Sequence, residues 1–198
     1  MGKRSNFAKR KEDAYDTPKE AVFPLLPYLP PSTRFIEPCA GRGDLIGHLH
    51  DAGHICVGAF DIAPRKPLQA TRLHYDPECK YYHEISKRDA LKLYRGTKPT
   101  GHIGHPYKSD MIITNPPWTR GLLHKIIAHF FWQNPTWLLF DAGWQHTLQA
   151  RPYLPMLQKV VSVGRVKWIE GTDAKGKDDA AWHLFHGVSD FTMIGRQQ

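Results

Sequence analysis

Apolar residues fall in short β-branched runs that alternate with longer stretches at helical spacing, the pattern of an α/β chain. Thr33–Glu37 and Ile55–Asp61 read as buried strands, each ending in a carboxylate. Between them Pro38–Asp44 makes a tight turn into a helix over Leu45–Ala52. Tyr81–Ser86 is expected as a third strand, and Met111–Thr114, entered by Asp110, as a buried parallel one. Leu122–Trp132 has the periodicity of a covering helix, and Thr136–Phe140 reads as a fifth strand. Residues 146–158 are expected to be partly helical, interrupted by Pro152 and Pro155. Val160–Ile169 and Ala180–His186 look like a closing antiparallel pair. Ahead of all this, Thr17 is expected as an N-cap, Pro18 as the first helical residue and Glu20 as the far side of a capping box, with Pro24 and Pro27 keeping the helix short. The sum is a mostly parallel central sheet with an antiparallel C-terminal strand pair and helices on both faces. The sequence predicts one domain over 14–198, preceded by a basic, flexible arm over 1–13.

Composition narrows the class without choosing the chemistry. The chain has 198 residues, 41% hydrophobic and 23% charged, which suits one globular domain. Nothing resembles a membrane span or a secretion signal, and three cysteines without a C-x-x-C spacing fit reduced thiols, so a cytoplasmic location is expected. Twelve histidines invite a metal reading, but His48/His50 and His102/His105 lack a companion ligand at metal spacing, so no metal is expected. The 27 basic against 19 acidic residues, a formal charge of +8, favour a polyanionic partner, nucleic acid above all. Two loops, 63–80 and 92–109, add cations and aromatics where such a partner would touch, and the polar connection 170–179 adds Lys175 and Lys177.

Candidate chemistry concentrates at strand ends. Gly41 and Gly43 let the backbone turn sharply and approach a ligand closely. Asp61, at the end of the second strand, suits a ribose diol, and Asp89 suits an adenine amine. Asn115-Pro116-Pro117-Trp118 follows the buried Met111–Thr114 run as a stiff elbow. It offers oxygen acceptors, from the Asn115 side chain and unpaired carbonyls, beside a flat indole. That set suits a planar substrate carrying an amino group. A plain strand-to-turn stop accounts for the tetrapeptide taken alone.

Taken in order, these pieces resemble the amino-methyltransferases that use S-adenosylmethionine, most closely the adenine-N6 DNA methyltransferases. The resemblance covers 15–118 by motif and 136–186 more loosely, and implies a Rossmann-like class I methyltransferase fold. It implies that Thr17 and Pro18 touch the methionine end of the cofactor, and that Glu37, Pro38, Ala40, Gly41 and Gly43 form the cofactor loop. Asp61 with Ile62 would hold the ribose side, Asp89 with Ala90 the adenine side, and Asn115 would border the sulfonium. Asn115, Pro116, Pro117 and Trp118 match the catalytic tetrapeptide (Asp/Asn/Ser)-Pro-Pro-aromatic. The implied reaction is methyl transfer to adenine N6 in DNA, with the amine's hydrogens accepted by Asn115 and the Pro116 carbonyl, Trp118 stacking on the base, and Trp168 a candidate for its second face. Sequence-specific relatives usually carry a target-recognition domain, for which this length leaves no room; the small size is of phage or mobile-element type. DNA is expected ahead of RNA. RNA adenine or protein glutamine methylation by the same elbow, or a non-catalytic nucleic-acid-binding module, stand as alternatives, and the oligomeric state is open.

Overall fold

The computed structural model describes residues 15–65, 85–93, 109–169 and 176–188. The basic arm, residues 66–84, most of the 92–109 loop and residues 170–175 lie outside the described residues. The sheet starts from β1 (Arg34–Glu37), which pairs in parallel with β2 (Ile55–Asp61) on one side and β4 (Met111–Thr114) on the other. A two-residue β3 (Ser86–Lys87) extends β2 at the edge, and β5 (Thr136–Asp141) lies parallel to β4. β6 (Leu157–Gly164) and β7 (Ala180–Phe185) complete the order β3-β2-β1-β4-β5-β7-β6, with β7 antiparallel to both neighbours. Mostly parallel and closed by an antiparallel pair, it is the sheet the hydrophobic runs predict, except that the third strand is Ser86–Lys87 and residues 81–84 of the expected Tyr81–Ser86 strand lie outside the described residues.

Helices bury both faces, which is why the inner strands are apolar throughout rather than alternating. On one face α1 (Lys19–Val22) and α2 (Asp44–Asp51) pack Val22, Leu45, Ile46 and Leu49 against Phe35, Trp137, Leu139 and Trp182. On the other, α3 (Arg120–Phe130) lays Leu123, Ile126, Ile127 and Phe130 against Ile36, Ile112, Leu138 and Phe185. Order along the sheet reverses between β1 and β4. The carboxyl ends of these two strands are therefore the place where α/β sheets bind ligands.

Two local expectations are corrected. The capping box does not form: Pro18 is the N-cap of α1 and no side chain caps the helix. Thr17 is buried and its Oγ1 accepts instead from Asn115 Nδ2 at 3.1 Å, while Glu20 accepts from the Lys167 backbone N–H at 2.9 Å. Long-range partners outcompete the local motif. The closing strand pair is also shifted. β6 begins earlier, with Leu157 fully buried opposite Phe185, and stops at Gly164, whose φ of +83° turns Arg165–Ile169 out of the sheet.

Candidate active site

The glycine turn is built against the end of β2. Gly41 (φ +55°) and Gly43 (φ +89°) occupy the left-handed region that only glycine enters cheaply. Ala40 N–H donates to the Phe60 carbonyl at 2.8 Å, and Gly41 N–H donates to Asp61 Oδ2 at 2.8 Å. The other Asp61 oxygen accepts from Ala63 N–H at 2.8 Å, so one carboxylate pins the turn after β1 to the turn after β2. Ile62, next in the chain, is 61% exposed, an apolar surface at the rim. Asp89 lies beyond β3 and caps the short 3-10 turn Ala90–Lys92, accepting from Leu91 N–H at 3.0 Å. Ala90 is buried beneath it.

Carboxylates converge here. Burial first, then the charges of Asp61 and Glu37, push the Cys39 thiol above its ordinary range. Pro38 is buried beside it. Glu37 is 2% exposed and, among the described residues, its Oε2 has no hydrogen-bond partner. Burial first, and then Asp61 and Asp44, hold its carboxyl well above the usual carboxylate range. A buried carboxylate oxygen without a donor calls for a proton or a cation. The charged groups nearest the turn are spent on each other: Asp16 holds Arg65 and, at 3.3 Å, Arg42 Nε. The Arg65 guanidinium lies 2.8 Å from where a Cβ on Gly41 would stand, so it covers the bare face of the turn.

The elbow faces this wall from β4. Pro116 is buried, while Asn115, Pro117 and Trp118 are half-buried. The Asn115 carboxamide is held at both ends, since Nδ2 donates to Thr17 Oγ1 and Oδ1 accepts from Trp118 Nε1, each at 3.1 Å. Trp118 Nε1 also donates to the Leu139 carbonyl at 3.1 Å. Thr17 follows Asp16 directly, so elbow and glycine turn share one wall. Asn115, Gly41, Asp61 and Asp89 thus stand at neighbouring strand ends.

Aromatic rings close the outer side. Trp168, in the coil beyond β6, stands edge-to-face with Trp118 at 5.4 Å between centroids and 88° between planes. In this arrangement the two indoles leave no parallel slot for a base, the second-face role expected of Trp168. Tyr15 lies 6.4 Å from Trp168, and Gly176 is where a side chain would meet the Trp168 pyrrole edge at 3.0 Å. Tyr15, Asp16 and Arg65 were not legible as site residues, because their partners lie far along the chain. Among the described residues no group of three or more His, Cys, Asp or Glu is placed to hold a metal, and no helix is long and apolar enough to cross a membrane.

Strand order, glycine turn and a buried acid at the switch point together define the Rossmann-like fold of class I methyltransferases. No family model matches the chain, and no curated protein is significantly similar in sequence. Solved structures do match. A modification subunit, described provisionally as that of a type I restriction enzyme from Vibrio vulnificus, superposes with a TM-score of 0.53 at 14% identity, over 89% of this chain and 45% of that one. A protein from Pyrococcus horikoshii, described provisionally as an RNA methyltransferase, superposes with a TM-score of 0.51 at 13% identity, over 94% of each chain. The chain thus spans less than half of the restriction subunit's length.

Proposed function

We propose that the chain transfers a methyl group from S-adenosylmethionine to adenine N6 in DNA. One observation carries the reading: the Asn115 carboxamide is fixed at both ends, its oxygen at the head of β4 and its nitrogen on Thr17, against the wall that also holds the glycine turn. The residues of the turn fit the cofactor. The orphaned Glu37 oxygen suits an α-ammonium, the Asp61 carboxylate with Ile62 beside it a ribose diol, and Asp89 an adenine amine. S-adenosylmethionine supplies an electrophilic methyl on a sulfonium. This chain's residues do the rest by positioning and electrostatics.

The adenine amine is a poor nucleophile, because its lone pair is delocalised into the ring. Asn115 Oδ1, with one lone pair turned to Trp118, has a second for one amine hydrogen, and the Pro116 carbonyl takes the other. Both contacts draw the nitrogen towards tetrahedral geometry and aim its lone pair at the methyl carbon. With the cofactor bound, the C–S electrons would return to sulfur as the methyl left, and the surplus amine proton would leave to solvent. A target base must leave the duplex, at a cost of a few kcal/mol. Stacking on the Trp118 ring offsets roughly 1–3 kcal/mol of that. The formal charge of +8 supports a nucleic-acid substrate over a protein one.

RNA adenine is the second reading, favoured by the match over nearly the whole of both chains to the Pyrococcus horikoshii protein. Incubation with tritiated S-adenosylmethionine and DNA, RNA or protein separates the cases. Label on DNA is expected; label on RNA or protein moves the substrate, and binding without transfer points to a non-catalytic module. Asn115→Ala is expected to abolish transfer while cofactor affinity stays near wild type, and a fully active variant overturns the assignment.

A further inference from the structure

The indole of Trp118 lies where a backbone donor is missing. Ile112 N–H donates to the Pro135 carbonyl at 2.9 Å, and β4 pairs with β5 in the register Ile112↔Thr136 and Thr114↔Leu138. Carried forward two residues at a time, that phase brings the amide of position 116 against the Leu139 carbonyl. Position 116 is a proline and has no N–H. The Trp118 indole N–H takes its place at 3.1 Å, and shares itself with Asn115 Oδ1 at the same distance. An indole nitrogen only donates. The contact therefore assigns oxygen to the Trp118 side of the Asn115 amide and nitrogen to the Thr17 side, where Thr17 Oγ1 accepts.

We infer that Trp118 is a positioning residue: its indole N–H replaces the strand donor that Pro116 lacks and fixes the Asn115 oxygen for the incoming amine, so the aromatic at this place must carry a donor on its inner edge. The inference rests on the reading of Asn115 as the acceptor of that amine. Stacking asks only for a π-face, which Phe and Tyr supply as well. Phe has no donor, and the Tyr hydroxyl sits at the far tip of its ring. The two duties of Trp118 are thus separable by substitution.

The test replaces Trp118 in the full chain with Phe, and with 3-benzothienylalanine, in which sulfur takes the place of the N–H within the same ring outline. A third version carries 5-fluorotryptophan, which keeps the N–H. Loss of the N–H is expected to lower kcat for methyl transfer by about 10²-fold through misplacement of the acceptor. Kd for S-adenosylmethionine stays near wild type, and the fluorinated version, which alters the stacking face but keeps the N–H, loses far less kcat than the benzothienyl one. A benzothienyl variant with wild-type kcat, or a loss carried by KM alone, overturns the proposal. Proton–nitrogen NMR gives a readout independent of transfer. The Trp118 indole proton should resist exchange in the wild type, and the Asn115 amide protons should exchange faster in the benzothienyl variant. With those NMR signatures but no transfer to any substrate, the functional reading fails and the positioning stands. With transfer present and a freely exchanging indole proton, the positioning fails.

Discussion

At the scale of single residues, two buried titratable groups pull stability in opposite directions with pH. His183 is fully buried and stacked on Phe140 at 3.9 Å, and burial lowers its pKa to about 3. Its unfolded value is about 6.5, so between those values the unfolded chain binds more protons and stability falls as pH falls. The loss is on the order of 2 kcal/mol by pH 5, or roughly 4–8 °C in Tm for a chain of this size. His183→Phe is expected to flatten that acid limb in thermal melts from pH 7 to 5. Glu37 has the reverse sign: its carboxyl is raised in the fold, so the stability it contributes is present in acid and lost as pH rises above the unfolded value of 4.5. Glu37→Gln is therefore expected to remove that decline of Tm above pH 4.5 in the ligand-free protein. If Glu37 holds the cofactor's ammonium as proposed, the same variant gives up a charge-assisted contact to it. Calorimetric titration should show affinity for S-adenosylmethionine weakened by about 10- to 100-fold, and an unchanged Kd would remove Glu37 from the cofactor site.

Among elements, α1 is the least self-sufficient, a helix of four residues without a side-chain cap. It is held from outside: Trp182 Nε1 on β7 donates to the Ala21 carbonyl at 2.8 Å, and Glu20 accepts from Lys167 N–H. Trp182→Phe leaves that buried carbonyl without a donor, at about 1–3 kcal/mol. A lower Tm is expected together with a slower kcat, because Thr17, the partner of Asn115, leads into this helix. A lower Tm with kcat intact would show that α1 does not set the elbow. These tethers also explain which parts were legible in the sequence. Ile55–Asp61 was readable to the residue because a doubly buried strand is apolar throughout, and Asn115–Trp118 because consecutive prolines announce a stiff turn. The fate of Thr17 was not, since its hydroxyl answers an amide 98 positions away. Nor was the place of Trp168, which depends on Gly164 ending the strand, nor that of Asp16 and Arg65, whose pairing closes over the turn only in three dimensions.

At the scale of the whole molecule, the excess of eight positive charges bears on the partner rather than the fold. If phosphates supply the binding energy, the logarithm of affinity for duplex or single-stranded DNA falls linearly with the logarithm of salt concentration, by roughly 0.7–0.9 per phosphate neutralised. Fluorescence anisotropy over a salt series measures that slope, and a flat line would remove nucleic acid as the partner. The sheet carries a different consequence. β7 sits between β5 and β6, yet its residues follow both in the chain. During synthesis on the ribosome, β5, with its own apolar Trp137, Leu138, Leu139 and Phe140, therefore keeps an open edge until Ala180–Phe185 emerge. An unpaired apolar edge recruits other chains. Among the described strands, β7, the latest to be translated, is thus the one that withdraws the nascent protein from aggregation.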